Sequence, residues 1–205
     1  MVYAFIAHSL LPGTCRVLYS TTFGLEDSQN IDYIPRLNGE PISKPESGKD
    51  RRVERKEQMS LVAKQVQSEF SFRKTVLGCT VEDDMRRHSI EDPSGNTVTG
   101  CFRLSAGEPF VTEKIVVWQG LGNFGLSLVC EKHENRLQAE AVLKLLARYS
   151  QEHMKALDQP HETLLKADKM AAIVHHILPQ GRLLFMNHTV TRQLEKELEN
   201  MISAK

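Results

Sequence analysis

Residues Gly120-Leu-Gly-Asn-Phe-Gly125 spell G-x-G-x-x-G just after the apolar run Ile115-Val-Val-Trp118. Two very different folds use glycines in this way. In a dinucleotide-binding unit the glycine turn opens a helix, and the helix N-terminus holds the pyrophosphate. Here the next residues are Leu126-Ser-Leu-Val-Cys130, a short apolar run ended by Lys132-His-Glu-Asn135. That run reads as a strand, and helical spacing begins only at Leu137. The pattern therefore predicts a β-hairpin, with strands at Ile115 to Trp118 and Phe124 to Cys130. Gly120, Gly122 and Gly125 are expected to turn the chain between them, where φ must be positive. A nicotinamide-type enzyme is the competing reading. It is the weaker one, because its motif needs strand-turn-helix and this chain offers strand-turn-strand.

The rest of the chain extends the antiparallel theme. Apolar runs at Val2 to Ser9 and Cys15 to Thr22 flank Pro12-Gly13, a hairpin signal. Residues 25–50 are polar and rich in Pro, Ser, Gly and Asn, as expected of a long loop. A helix is predicted over about Asp50 to Phe70, with Met59, Val62, Ala63, Val66 and Phe70 on one face. A second polar insertion occupies 75–97, and a strand is expected at Val98 to Leu104. After the glycine hairpin, Asn135 with Gln138 resembles a capping box. The helix it starts should bury Ala141, Val142, Leu145, Leu146 and Tyr149. Pro160 suits the first turn of another helix, with Met170, Ile173, Val174 and Ile177 as its apolar positions. Leu178-Pro-Gln-Gly181 should stop that helix, and Leu183-Leu-Phe185 should be extended. A last helix from about Thr191 places Leu194, Leu198, Met201 and Ile202 on one side. The order β-β-α-β-β-β-α-α-α implies an α+β fold within the broader α/β class: a five-stranded, mostly antiparallel sheet with helices packed on it. One domain over 1–205, with polar loops at about 25–50 and 75–97, accounts for the length.

Composition removes several function classes. Lys plus Arg number 26 and Asp plus Glu number 26, so no basic excess marks a nucleic-acid surface. The basic cluster Arg51, Arg52, Arg55, Lys56 is interleaved with Glu54 and Glu57, as on a solvated helix face. Cysteines at 15, 79, 101 and 130 have no C-x-x-C spacing and no His pair to complete a zinc set. Three of them lie in apolar strand-like runs, where a thiol behaves as a small hydrophobe in a reduced cytosolic compartment. The apolar N-terminus lacks a positive n-region and reads as a first strand, not a signal peptide. The sequon Asn187-His-Thr189 is therefore expected to stay unused. Nothing approaches the ~18 apolar residues of a membrane span.

Candidate chemistry is equally thin. His133-Glu134 begins H-E-x-x-H, but position 137 is Leu. Adjacent His175 and His176 cannot chelate together as an i, i+4 pair would. His8, Ser9 and Cys15 could form a nucleophile set, yet no elbow motif orients them. Glu82, Asp83, Asp84, Glu91 and Asp92 sit in a polar insertion, without the apolar surroundings that tune an acid or base. Arg86-Arg-His-Ser89 is a short basophilic-kinase pattern of the kind common by chance. Gly48-Lys49 lacks the leading glycine of a P-loop. Catalytic, cofactor-binding and metal residues are thus all expected to be none. What remains is apolar helix surface at 137–149, 164–177 and 194–202, part of it core and part available to a partner. Trp118 and Phe110 belong to the core on this reading, and no interface residues are assigned.

Several blocks carry a resemblance. Met1-Val-Tyr-Ala-Phe-Ile-Ala-His8, Cys15-Arg-Val-Leu-Tyr-Ser20, Arg55-Lys-Glu-Gln58 with Val62-Ala-Lys-Gln-Val66, Phe102-Arg-Leu104 and Val116-Val-Trp118 are among them. So are His133-Glu-Asn135, Ala139-Glu140, Leu164-Leu-Lys-Ala-Asp168, Leu178-Pro-Gln-Gly-Arg-Leu-Leu-Phe185 and Leu194-Glu-Lys-Glu197. With the element order they resemble the longin-like small subunits of adaptor complexes, specifically the sigma subunits of the fifth adaptor-protein complex. The resemblance implies a non-enzymatic subunit of a heterotetramer with zeta, beta and mu subunits. It further implies a cytoplasmic protein, peripheral on late endosome and lysosome membranes, with spatacsin and spastizin as associates and a role in retrieval without clathrin. Its expected task is to wedge against the large zeta subunit and stabilise it, so the isolated chain should behave poorly. Clathrin-adaptor small subunits carry Glu-Leu-Asp-Leu-Val-Phe-Asn-Phe near their dileucine pocket. This chain has Pro160-His-Glu-Thr-Leu-Leu-Lys-Ala-Asp168 there, without the aromatic pair, so dileucine binding is carried to no residue. A free-standing longin module that regulates or tethers membrane traffic is the alternative.

Overall fold

The computed structural model describes residues 1–11, 13, 15–23, 48–76, 97–154, 162–185 and 187–203, with the backbone alone at 48–51, 162, 188, 202 and 203. Cys79, the acidic pairs at 82–84 and 91–92, the Arg86–Ser89 motif and Pro160 lie outside the described residues, as do most of both predicted polar loops.

Five strands form one sheet: β1 Val2–Ser9, β2 Val17–Thr22, β3 Thr97–Leu104, β4 Lys114–Leu121 and β5 Phe124–Glu131. Their spatial order is β2-β1-β5-β4-β3, and each neighbouring pair is antiparallel. Helix α1, Gly48–Val76, lies between β2 and β3 in sequence. Those strands are opposite edges of the sheet, so the helix must cross one whole face, and it touches all five strands. Helices α2 (Arg136–Met154) and α4 (Ala167–Ile177) cover the other face, with short α3 (Glu162–Leu165) before α4. A tight turn at Pro179–Gly181 ends α4, and α5 (His188–Ser203) closes the described chain. The result is an α+β fold with the sheet sandwiched between α1 and the α2/α4 layer, as the element order predicts.

Strand alternation assigns the two cores. Val117, Leu121, Leu126, Leu128 and Cys130 face α2 and α4. Val116, Trp118 and Val129 face α1, against Met59, Val62, Val66 and Phe70. All five predicted apolar positions of α1 are buried. In β1 the alternation slips. Val2 belongs to the α2 side, whereas Tyr3, Ala4 and Ile6 belong to the α1 side. A bulge against β5 between Val2 and Ala4 inserts the extra residue that makes this possible.

The glycine motif is a hairpin, but its glycines do not share one job. The turn is only Gly122-Asn123, between the paired residues Leu121 and Phe124. Gly122 has φ 56°, while among the described non-glycines only Gln180 has positive φ. Positive φ at the first central position alone is the two-residue hairpin pattern with glycine leading. Gly120 and Gly125 are not turn residues, contrary to expectation. They pair with each other inside the strands. A Cβ on Gly120 would lie 2.5 Å from the Phe70 ring, and one on Gly125 would lie 2.6 Å from the His8 ring. Both glycines are there for close approach of side chains on the α1 face.

Other boundaries shift for tertiary reasons. β2 begins at Val17, so Cys15 precedes it and is half-buried. α1 runs to Val76, beyond Phe70, because its last turn reaches β3: the Arg73 guanidinium donates to the Thr99 carbonyl. Asn135 is the N-cap of α2, accepting from Leu137 N at 3.0 Å and Gln138 N at 3.3 Å. The capping box is not completed, since the Asn135 N–H donates to Glu134 Oε1 at 3.4 Å, while Gln138 Nε2 donates to the Leu183 carbonyl. Ala141 is exposed and Leu145 half-buried, while Ala139, Leu143 and Ala147 are buried. The α2 face is therefore rotated toward positions whose small side chains allow close packing on the sheet. In α5, Leu198 is buried, Leu194 is half-buried and Met201 is exposed, while the Ile202 side chain lies outside the described residues. α5 starts at His188, and the Asn187 side chain caps it by accepting from Val190 N at 2.8 Å.

His8 is fully buried under α1. Its Nε2 lies 3.1 Å from Ser127 Oγ on β5, and its Nδ1 is 3.4 Å from the Ser9 carbonyl. Burial drives its pKa down to about 4, with the Ser9 carbonyl opposing weakly. The unfolded chain takes up a proton near pH 6.5 that the folded chain refuses until about pH 4, so stability falls as pH drops through that window. At ~1.4 kcal/mol per unit the loss is on the order of 3 kcal/mol. Urea unfolding at pH 7, 6, 5 and 4.5 should show this slope, and His8→Asn should flatten it whatever its effect at pH 7. An unchanged slope in that variant refutes the assignment to His8. The glycines predict a ranking. Gly120→Ala and Gly125→Ala should each cost about 1–3 kcal/mol by overpacking. Gly122→Ala should cost about 1 kcal/mol from left-handed strain. Unfolding midpoints check this, and the ranking is wrong if Gly122→Ala is the worst of the three.

Candidate functional site

Among the described residues, the candidates for chemistry do not converge. His8 pairs with Ser127, whereas Ser9 Oγ accepts from Leu11 N. The imagined His8, Ser9, Cys15 set is thus three separate structural roles. His133 is exposed, and Glu134 pairs with the amino group of Met1. His175 is exposed and His176 half-buried, with His176 Nε2 at 3.3 Å from Glu197 Oε2. The two imidazoles occupy different sides of α4, as their adjacency requires. Burial pushes the Cys130 thiol up to about 12, and it raises Cys15 and Cys101 as well. All three are weak nucleophiles at neutral pH. Among the described residues, no group of three His, Cys, Asp or Glu is placed to hold a metal ion.

Buried polar atoms without partners are another pointer to ligands. Trp118 Nε1, Gln119 Oε1 and Thr163 Oγ1 are of this kind. Trp118 and Gln119 are consecutive in β4 and so face opposite sides of the sheet, while Thr163 is on α3. They do not aim at a common space. The glycine hairpin likewise offers no helix N-terminus to a phosphate, because β5 follows it directly. That geometry overturns the dinucleotide reading.

Buried charge is structural too. Lys114 is fully buried on the α1 side, and its Nζ donates to Thr112 Oγ1 at 2.7 Å and Glu131 Oε1 at 2.8 Å. It also lies over the Tyr3 ring at 5.0 Å, beside the Tyr3–Phe110 edge contact. A cation this well satisfied closes one end of the β4–β5 pair. Trp118 and Phe110 are both completely buried, as predicted.

What stands out is exposed apolar surface. On α1, Leu61, Phe72 and Val76 are 52%, 68% and 67% exposed. At 3.6 residues per turn, Phe72 and Val76 lie only ~20° and ~60° around from Leu61. They form a stripe on the outer side of a helix whose opposite side is packed on the sheet. Gln65 and Ser68 fall between them and are also exposed. A second group lies at the start of α2. Leu137 is 76% exposed and Phe185 is 80% exposed, and the Gln138–Leu183 hydrogen bond ties their two segments together. Leu164 and Leu165 on α3 are exposed as well. Leu137, Leu164 and Leu165 lie at the ends of the helix faces that the sequence left open between core and partner, whereas Phe185 is in the extended segment after α4. The α1 stripe was missed, because helical periodicity reports the buried side and is silent about isolated apolar residues opposite it.

The described structure thus has a filled core with several large apolar residues left outside it. Among the described residues no helix is long and apolar enough to cross a membrane. Comparison with known proteins identifies the family. The model of the family described as "AP-5 complex subunit sigma-1" matches residues 1–199. A human protein named AP-5 complex subunit sigma-1 is 38% identical over 204 residues, covering 96% of each chain. The mouse protein of that name is 38% identical over 164 residues, covering 77% of this chain and 90% of its own. The chain belongs to the AP-5 sigma-1 family, the non-enzymatic small subunits of an adaptor complex.

Proposed function

We propose that this chain acts as one longin-like domain that completes a heterotetrameric vesicle coat with zeta, beta and mu subunits. Its work is to bury surface against the large zeta subunit and stabilise that subunit's fold. The coat serves protein retrieval at late endosomes and lysosomes without clathrin, with the chain peripheral on the membrane through the complex. Spatacsin and spastizin are its accessory partners on the same reading. Family membership supports the adaptor role, and the apolar stripe of α1 supports the mode of action.

The observation that carries the proposal is Leu61, Phe72 and Val76 on one outer helix face. Solvent gains nothing from three large apolar groups so arranged, whereas a partner surface would bury them. Each fully buried side chain of this size is worth roughly 1.5–3 kcal/mol. The stripe alone therefore supplies several anchors of the kind that dominate subunit contacts.

The test is co-purification of the tagged full chain with the large subunit from cells. The double variant Leu61→Asp, Phe72→Asp should lose the large subunit at least tenfold, with the isolated chain's unfolding midpoint unchanged. Leu137→Asp, Phe185→Asp is the parallel variant. If the α1 variant keeps full recovery, the stripe is not the interface. Loss only in the parallel variant moves the contact to the α2 end.

A further inference from the structure

We propose that helix α5 is a displaceable latch, which opens as a unit and uncovers the outer face of α2 and α4 while the sheet stays folded. This does not depend on the adaptor reading. α5 lies outside the α2/α4 layer and packs on α4. Its apolar positions Val190, Leu194 and Leu198 recur every fourth residue, but only Leu198 is fully buried. Val190 and Leu194 are half-buried, and Met201 is exposed.

The polar attachments are at the rim. Arg148 of α2 reaches Glu195, and His176 of α4 lies 3.3 Å from Glu197. Arg148 and Glu195 are both more than a third exposed, which leaves that pair screened and weak, while half-buried His176 meets an exposed Glu197. The contrast with α1 is direct. α1 seats Met59, Val62, Ala63, Val66 and Phe70 fully against the sheet, whereas among the described side chains of α5 only Leu198 is fully seated.

A helix of 16 residues is marginal by itself, so α5 is helical chiefly while docked. Among the described side chains, one fully buried leucine, one screened ion pair and one His–Glu contact are a small hold on that many residues. Undocking and loss of helix are therefore one local event, well below the free energy of global unfolding. The open state presents the face of α2 and α4 that carries Arg148 and His176.

Native-state hydrogen exchange on the full chain tests this. Amides 192–200 should exchange at least 100-fold faster than those of β4 and β5. Leu198→Ala should speed amides 192–200 a further tenfold or more and leave β4, β5 and α4 unchanged. Arg148→Ala should speed the same amides by a smaller factor. If amides 192–200 exchange in step with β4 and β5, α5 is an integral part of the fold and the proposal is wrong. It is equally wrong if Leu198→Ala accelerates every element alike, or accelerates none.

Discussion

Two glycines facing each other across the β4–β5 pair govern how the molecule is put together. Gly120 and Gly125 sit opposite one another on the α1 side of the sheet. Because neither has a Cβ, the Phe70 ring can rest on one and the His8 ring on the other. Phe70 then meets Trp118 edge-on, with ring centroids 6.3 Å apart. Trp118 in turn occupies the space a side chain at Gly100 would need. A chain of close approaches therefore runs from α1 through the hairpin to the edge strand β3. Without it, α1 would stand further from the sheet, and the buried ring–ring contacts would open.

That constraint also decides where the outer surface of α1 points. Once Met59, Val62, Val66 and Phe70 are pinned to the sheet, helix geometry sends Leu61, Phe72 and Val76 to solvent. The same packing that makes the core thus presents the stripe. Among the described residues, the buried groups that could carry chemistry serve the fold: His8 pairs with Ser127, Lys114 with Glu131 and Thr112, and Cys130 joins the core.

Much of the fold was legible because its signals are local. The run after Gly125 identified a hairpin, the four-residue recurrences in α1 and α4 found their buried sides, and Asn135 marked a helix start. The errors have a common physical source, which is contact with distant residues. Gly120 and Gly125 looked like turn residues because sequence shows glycine frequency and not which ring lies above a strand. Gln138 looked like half of a capping box, but the Asn135 N–H turns to Glu134 and the Gln138 side chain is drawn to the Leu183 carbonyl, 45 positions away. Ala141 and Ala147 are indistinguishable by type, and only the α2 packing angle exposes one and buries the other. The candidate interface was the least legible part. Three exposed apolar residues on a helix gain meaning only when the opposite face is known to be filled.

The central claim is that the outer stripe of α1 is covered in the assembled coat. Hydroxyl-radical footprinting of the chain, free and within the purified complex, measures this directly. Oxidation at Leu61 and Phe72 should fall at least fivefold on assembly, while exposed Met201 on α5 serves as the internal reference. Equal oxidation of Leu61 and Phe72 in the free and assembled chain would contradict the account.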